Sequence, residues 1–125
     1  GALNVKGHVI DIPAQWGEIA WFSFADLCGK PLGAEDYLQL AKIYRTFIIG
    51  NIPHLTPDLL NEAKRFIHLI DVLYEAKAFL ICSAEALPDK LFTKTDKLPY
   101  ERTVSRIKEM MSEDYTSALH MKSRV

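Results

Sequence analysis

Thr46-Phe47-Ile48-Ile49-Gly50-Asn51-Ile52-Pro53, then the amphipathic run from Thr56 to Glu75, then Phe79-Leu80-Ile81-Cys82-Ser83-Ala84, is the stretch whose reading decides the fold. The first run is apolar, rich in β-branched residues and stopped by a proline that cannot donate to a ladder. These are the marks of a strand buried on both faces, as in a parallel sheet. Thr56-Pro57-Asp58 supplies an N-cap, a proline at the first helical position and an early acid. The spacing Leu59, Ala63, Phe66, Ile70 and Leu73, thickened by Leu60, Ile67 and Tyr74, gives the helix a broad apolar face suited to lying on a sheet. Lys77 leads directly into a second strand from Ala78 to Ser83. Strand, helix and strand over this length form a right-handed crossover, which implies a parallel sheet.

Working upstream, the helix from Ala34 to Tyr44 has Glu35 and Asp36 at its positive start and Tyr37, Leu40, Ala41 and Tyr44 on one face. It links a strand at Ile19-Ala20-Trp21-Phe22-Ser23-Phe24 to the one near Ile48. Asp26 to Gly33 is dense in Gly, Pro and Asp and reads as loop. Val5 to Ile12 alternates and stops at Pro13, which reads as one strand, the hairpin partner or neighbour of the strand near Trp21. His8 reads as surface decoration of that strand. Downstream, a short helix from Glu85 to Phe92 precedes a polar connector. Pro99 then opens a helix with the apolar stripe Tyr100, Val104, Ile107 and Met111. Ser112-Glu113-Asp114 reads as a restart around Tyr115, and Lys122 to Val125 as a frayed end.

The fold class expected is α/β: a small, mostly parallel three-stranded sheet with crossover helices, an added antiparallel N-terminal strand and C-terminal helices. A chain of 125 residues with 49% apolar content fits a single domain over residues 1–125. The net charge of -1 and the pI near 6.5 mark no basic field for nucleic acid, and no direct nucleic-acid binding is predicted. The apolar runs fall far short of the roughly 18 residues of a membrane span. Cys28 and Cys82 form neither a disulfide framework nor a metal spacing, which points to a reducing, cytoplasmic setting. The chain begins with Gly, lacks a charged-then-apolar leader and enters a strand almost at once, so it reads as the downstream part of something longer.

The crossover from Phe47 to Ser83 has the layout of the segment between the Walker B strand and the sensor strand of P-loop ATPases. A Walker B strand needs an acid at its end to hold magnesium. Here that position reads Gly50-Asn51, and no Gly-x-x-x-x-Gly-Lys-Ser/Thr occurs anywhere, so these residues alone are not expected to hydrolyse ATP. Ser83 lacks a nucleophile elbow. His54, His68 and His120 have no acid or nucleophile at catalytic spacing, and no metal-ligating set is found. On the last helix Arg102, Arg106, Glu109 and Glu113 follow at spacings 4, 3 and 4. Arg102 and Arg106 project together, at a cost of roughly 0.2–0.5 kcal/mol for like charges one turn apart. Two readings stand: a partner anion offsets that cost, or Glu109 pairs with Arg106 on a solvated stripe.

Three segments together resemble the C-terminal half of the ZapE-like (lactation-elevated-protein-like) AAA-type P-loop ATPases. They are Phe24-Ala25-Asp26-Leu27-Cys28 through Tyr37, Ala63-Lys64-Arg65-Phe66-Ile67 through Glu75, and Glu101-Arg102-Thr103-Val104-Ser105-Arg106-Ile107-Lys108-Glu109-Met110. The resemblance runs from about Val5 to Tyr115. It implies that Walker A and B lie upstream, in a P-loop domain absent from this chain, and that ATP and Mg belong to the full-length protein. It also implies a homo-oligomer, contact with the other domain of the same ATPase, and a role in bacterial cell division or protein quality control. The location implied is cytoplasmic, peripheral at the inner membrane, or mitochondrial in a eukaryote. By the same resemblance Arg102 and Arg106 are candidates for an arginine finger reaching a neighbouring subunit's phosphate. An interaction module is the alternative, with Asp26, Leu32 and the Trp16/Trp21 region docking a division or protease partner. A small independent enzyme is the third reading, and no acid, base and nucleophile cluster supports it.

Overall fold

The computed structural model describes residues 1–95 and 97–112. Its centre is a four-stranded sheet in the order β3-β4-β5-β6, formed by β3 (Ala14–Trp16), β4 (Ile19–Ser23), β5 (Thr46–Ile52) and β6 (Phe79–Ala84). β4, β5 and β6 are parallel, with Trp21 beside Ile48 and Ile48 beside Ile81. The fold is α/β, as expected, and the three parallel strands are those read from the sequence.

The antiparallel contribution comes from a different place. β3 pairs with β4 through Ala14–Trp21 and Trp16–Ile19, so Gly17, at φ 60, is the turn of that hairpin. Val5 to Ile12 is not one strand. It is split by a turn at Lys6 and Gly7, with φ of 48 and 88, into β1 (Ala2–Val5) and β2 (His8–Asp11), a separate two-stranded sheet. The Asn4 side chain accepts the Gly7 N–H at 3.0 Å and steadies the turn. Val5 and Ile10 are both buried, and five positions apart on a single strand they would face opposite ways. Folding the segment back on itself puts both on one face together with His8, which meets Asp36 of α2 (Ala34–Ile43).

Two short helices also differ from expectation. Ser23 ends β4 and caps α1 (Phe24–Cys28): its hydroxyl accepts the Asp26 N–H at 3.1 Å, and the Asp26 carboxylate accepts the Ser23 N–H at 2.9 Å. That capping box makes Asp26 to Cys28 helical rather than loop. α4 covers only Pro88–Leu91, because the Glu85 N–H still bonds to the Ile52 carbonyl and Pro88 suits a first turn. Thr56 precedes a single 3-10 turn, Pro57–Leu59, ahead of α3 (Leu60–Glu75), and its hydroxyl donates to Asp58 instead of capping. α5 spans Tyr100–Met110. The restart read beyond Ser112 and the frayed end lie outside the described residues.

The core lies between one face of the sheet and the helices. Phe22, Phe47 and Ile49 point from the strands into it, and Tyr37, Leu40, Phe66, Ile70 and Leu73 meet them from α2 and α3. Phe22 stacks on Phe47 at 6.0 Å between ring centroids. A chain of rings continues from Phe24 to Phe66 (5.8 Å), Phe92 (6.2 Å) and Tyr100 (5.4 Å), tying α1, α3 and α5 together. The expectation that β5 is buried on both faces is not met. Phe47 and Ile49 are buried, whereas Ile48, facing the other way, is half-exposed.

Candidate functional site

The two arginines of α5 converge on one carboxylate of α3. Arg102 Nη2 donates to Asp71 Oδ2 at 3.0 Å, and Arg106 Nη1 donates to Asp71 Oδ1 at 2.6 Å. Arg106 also reaches Glu75 at 3.5 Å and lies over the Tyr74 ring, 4.6 Å from its centroid. Glu109, read as a partner for Arg106, instead accepts the Tyr74 hydroxyl at 2.6 Å, which raises the phenol above its usual range. Asp71, Tyr74 and Glu75 sit at successive i, i+3 and i+4 positions on α3, so one helical stripe receives the basic stripe of α5.

The two guanidinium groups differ in setting. The side chain of Arg106 is 19% exposed and that of Arg102 62%. Arg106 is thus fixed by a carboxylate, a second acid and a ring, while Arg102 makes one bond and presents the rest of its donor fork to solvent. Asp71 was not singled out from the sequence. The signal available was its place among the acids of α3, and only the packing of α3 on α5 gives it a role.

Beneath the arginines, the buried side of α5 is Thr103, Ile107 and Met110. Met111, expected in the stripe, is 54% exposed and its neighbour Met110 is buried instead. Among the described residues, Thr103 Oγ1 is the buried side-chain oxygen without a hydrogen-bond partner.

The docking residues proposed from sequence have local tasks. The Asp26 carboxylate accepts both the backbone N–H and the hydroxyl of Ser23. Leu32 is half-buried against the core. Nearby, Arg65 donates to the Cys28 carbonyl at 3.0 Å and the Tyr37 hydroxyl to the Leu27 carbonyl at 2.7 Å, locking the end of α1. Burial pushes the Cys28 thiol up to about 12, which leaves it unreactive near neutrality. His8 is more than decoration: its Nδ1 lies 3.3 Å from the buried Asp36 carboxylate, which also accepts the Gly33 N–H.

The chain end of β5 does not fit a magnesium-nucleotide centre. Asn51 has φ 61, the β5–β6 ladder is irregular there, and its N–H is taken by Ser83 Oγ at 3.0 Å. Among the described residues no three His, Cys, Asp or Glu gather as a metal site.

The fold is α/β with an arginine-bearing helix packed on α3, and the sequence comparisons give the family. The family model of AFG1-like ATPases matches residues 1–118, and the chain belongs to that family. It is 33% identical over 90% of its length to lactation elevated protein 1 homolog B of Danio rerio, covering 29% of that protein. It is 35% identical over 79% of its length to the cell division protein ZapE of Escherichia coli, covering 27%. An uncharacterized protein of Schizosaccharomyces pombe is 40% identical over 72% of the chain, which covers 20% of it. The chain thus spans less than a third of the length of these relatives. No solved structure matches. No helix among the described residues is long and apolar enough to cross a membrane.

Proposed function

We propose that the chain works as the C-terminal part of an AAA-type ATPase, contributing α5 to a nucleotide site completed between subunits of a homo-oligomer. In this reading Arg102 reaches the phosphate of the neighbouring subunit's ATP, with magnesium and the P-loop supplied by other parts of the full-length protein, and Arg106 anchors the helix that carries it. One observation carries the assignment. Asp71 binds both guanidinium groups, yet only Arg106 is enclosed, so Arg102 is held in orientation and still faces solvent. An arginine supplied in trans stabilises the charge of phosphoryl transfer by roughly 10³–10⁵ in rate.

ATP turnover would be coupled to cell division, the task in the name of the ZapE relative, or to protein quality control, through a division or protease partner. The protein would act in the cytoplasm, peripherally at the inner membrane, or in the mitochondrion of a eukaryote. As an interaction module alone, docking through Asp26 and Leu32, the chain would need side chains that already serve the α1 cap and the core. The test is Arg102→Ala in the full-length oligomer. Turnover should fall by on the order of 10³ while ATP affinity is retained, and Arg106→Ala should lower stability first. Wild-type turnover in the Arg102→Ala protein would overturn the assignment.

A further inference from the structure

The strands β4, β5 and β6 follow one another side by side, and successive right-handed crossovers put α2 and α3 on the same side of the sheet. α5 packs against α3 on that side, where Ile107 and Leu80 share a cavity wall. Among the described residues, no helix or strand layer covers the opposite side. Strand register lines up Trp16, Ile19 and Phe79 in one row across it, and Trp21, Ile48 and Ile81 in the next. Trp16 is 61% exposed, Ile81 58% and Ile19 38%, and the other three are half-exposed. The Trp21 indole lies across Gly50, where an added Cβ would sit 3.5 Å from it. The remaining positions of these rows and the next are Ala14, Thr46, Ser23, Gly50 and Ser83, none of them charged.

Parallel sheets occur almost only with both faces covered, and a monomer rarely leaves so continuous an apolar surface in water. Most of the length of the family relatives lies outside the part this chain matches. We propose that this open face is the seat of an apolar-faced helical layer from the remaining length of the same polypeptide, which completes a three-layer α/β unit. An uncharged face suits a helix that brings no buried charge to be paired. A second copy would bring sheet against sheet, whereas parallel crossover sheets are covered by helices. The proposal rests on family membership and not on the arginine assignment, so each can fail alone.

The test uses Ile81→Cys and, separately, Trp16→Cys in a Cys82→Ala background, with maleimide labelling followed peptide by peptide by mass spectrometry. Each variant is compared as the 125-residue chain and within the family-length polypeptide, at two protein concentrations and relative to the same protein in urea. Labelling at both positions should be fast in the short chain and at least ten-fold slower in the long one, equally at both concentrations. Equal rates in the two proteins would overturn the proposal. So would protection of the short chain that grows with its concentration, which would assign the face to a second copy.

Discussion

Replacing Asp71 by Asn keeps the shape of the side chain and removes the charge that both arginines share. The Arg106 contact, at 2.6 Å between side chains 19% and 25% exposed, is a charge-assisted hydrogen bond worth about 1.5–3 kcal/mol. The Arg102 contact, with that arginine 62% exposed, adds only about 0.2–1 kcal/mol. Asn retains one acceptor, and Arg106 keeps Glu75 and the Tyr74 ring, so the net loss should be about 2 kcal/mol. For a chain of this size that lowers Tm by roughly 6–10 °C. Urea unfolding followed by circular dichroism measures it directly. A cycle with Arg106→Gln should give a coupling of about 1 kcal/mol or more. Because the pair is mostly enclosed, most of the loss should persist at about 1 M salt, where exposed pairs are screened. A loss below about 0.5 kcal/mol, or one abolished by salt, would refute the view that this carboxylate fastens α5 to α3.

Thr103→Val should stabilise the protein by about 1 kcal/mol, since it removes a buried hydroxyl without a partner and preserves the branched shape; a lower urea midpoint would show that the hydroxyl is satisfied in solution. Burial raises the Cys28 thiol from 9.0 to about 12, so the folded state holds a proton that the unfolded chain loses. The stability this gives is fully present below pH 9 and is lost as pH rises toward 12, by about 1.4 kcal/mol per unit. Burial shifts Tyr37 in the same direction and extends the loss. Chemical denaturation at pH 8 and pH 10 checks this, and Cys28→Ala should flatten the dependence. A slope unchanged in that variant would assign it elsewhere.

The parallel core was legible because its signals are periodic and local. Phe66, Ile70 and Leu73 repeat at helical spacing, and Ile52-Pro53 punctuates a strand. The N-terminal hairpin was not, because alternation through Val5 to Ile12 runs on across Lys6-Gly7 and only the pairing of Val5 with His8 exposes the turn. The Ser23-x-x-Asp26 capping box was present in the sequence, but the Gly and Pro that follow it dominated the reading of that segment. Arg102 and Arg106 were visible as a stripe. Their partner was not, since Asp71 lies 31 and 35 positions away and which side of α3 faces α5 is set by tertiary packing. The one-sided burial of the sheet was equally hidden, because Ile48 and Ile81 are as apolar as the residues that face the core.

Whether Arg102 acts across a subunit boundary is tested most directly by mixing. Full-length subunits carrying Arg102→Ala are combined with subunits whose P-loop lysine is replaced, and ATP turnover is measured after subunit exchange. Each parent should be inactive, and the mixture should recover turnover, because some interfaces then join an intact P-loop to an intact Arg102. A mixture as inactive as its parents despite demonstrated exchange, or full turnover by the Arg102→Ala protein alone, would contradict the assignment.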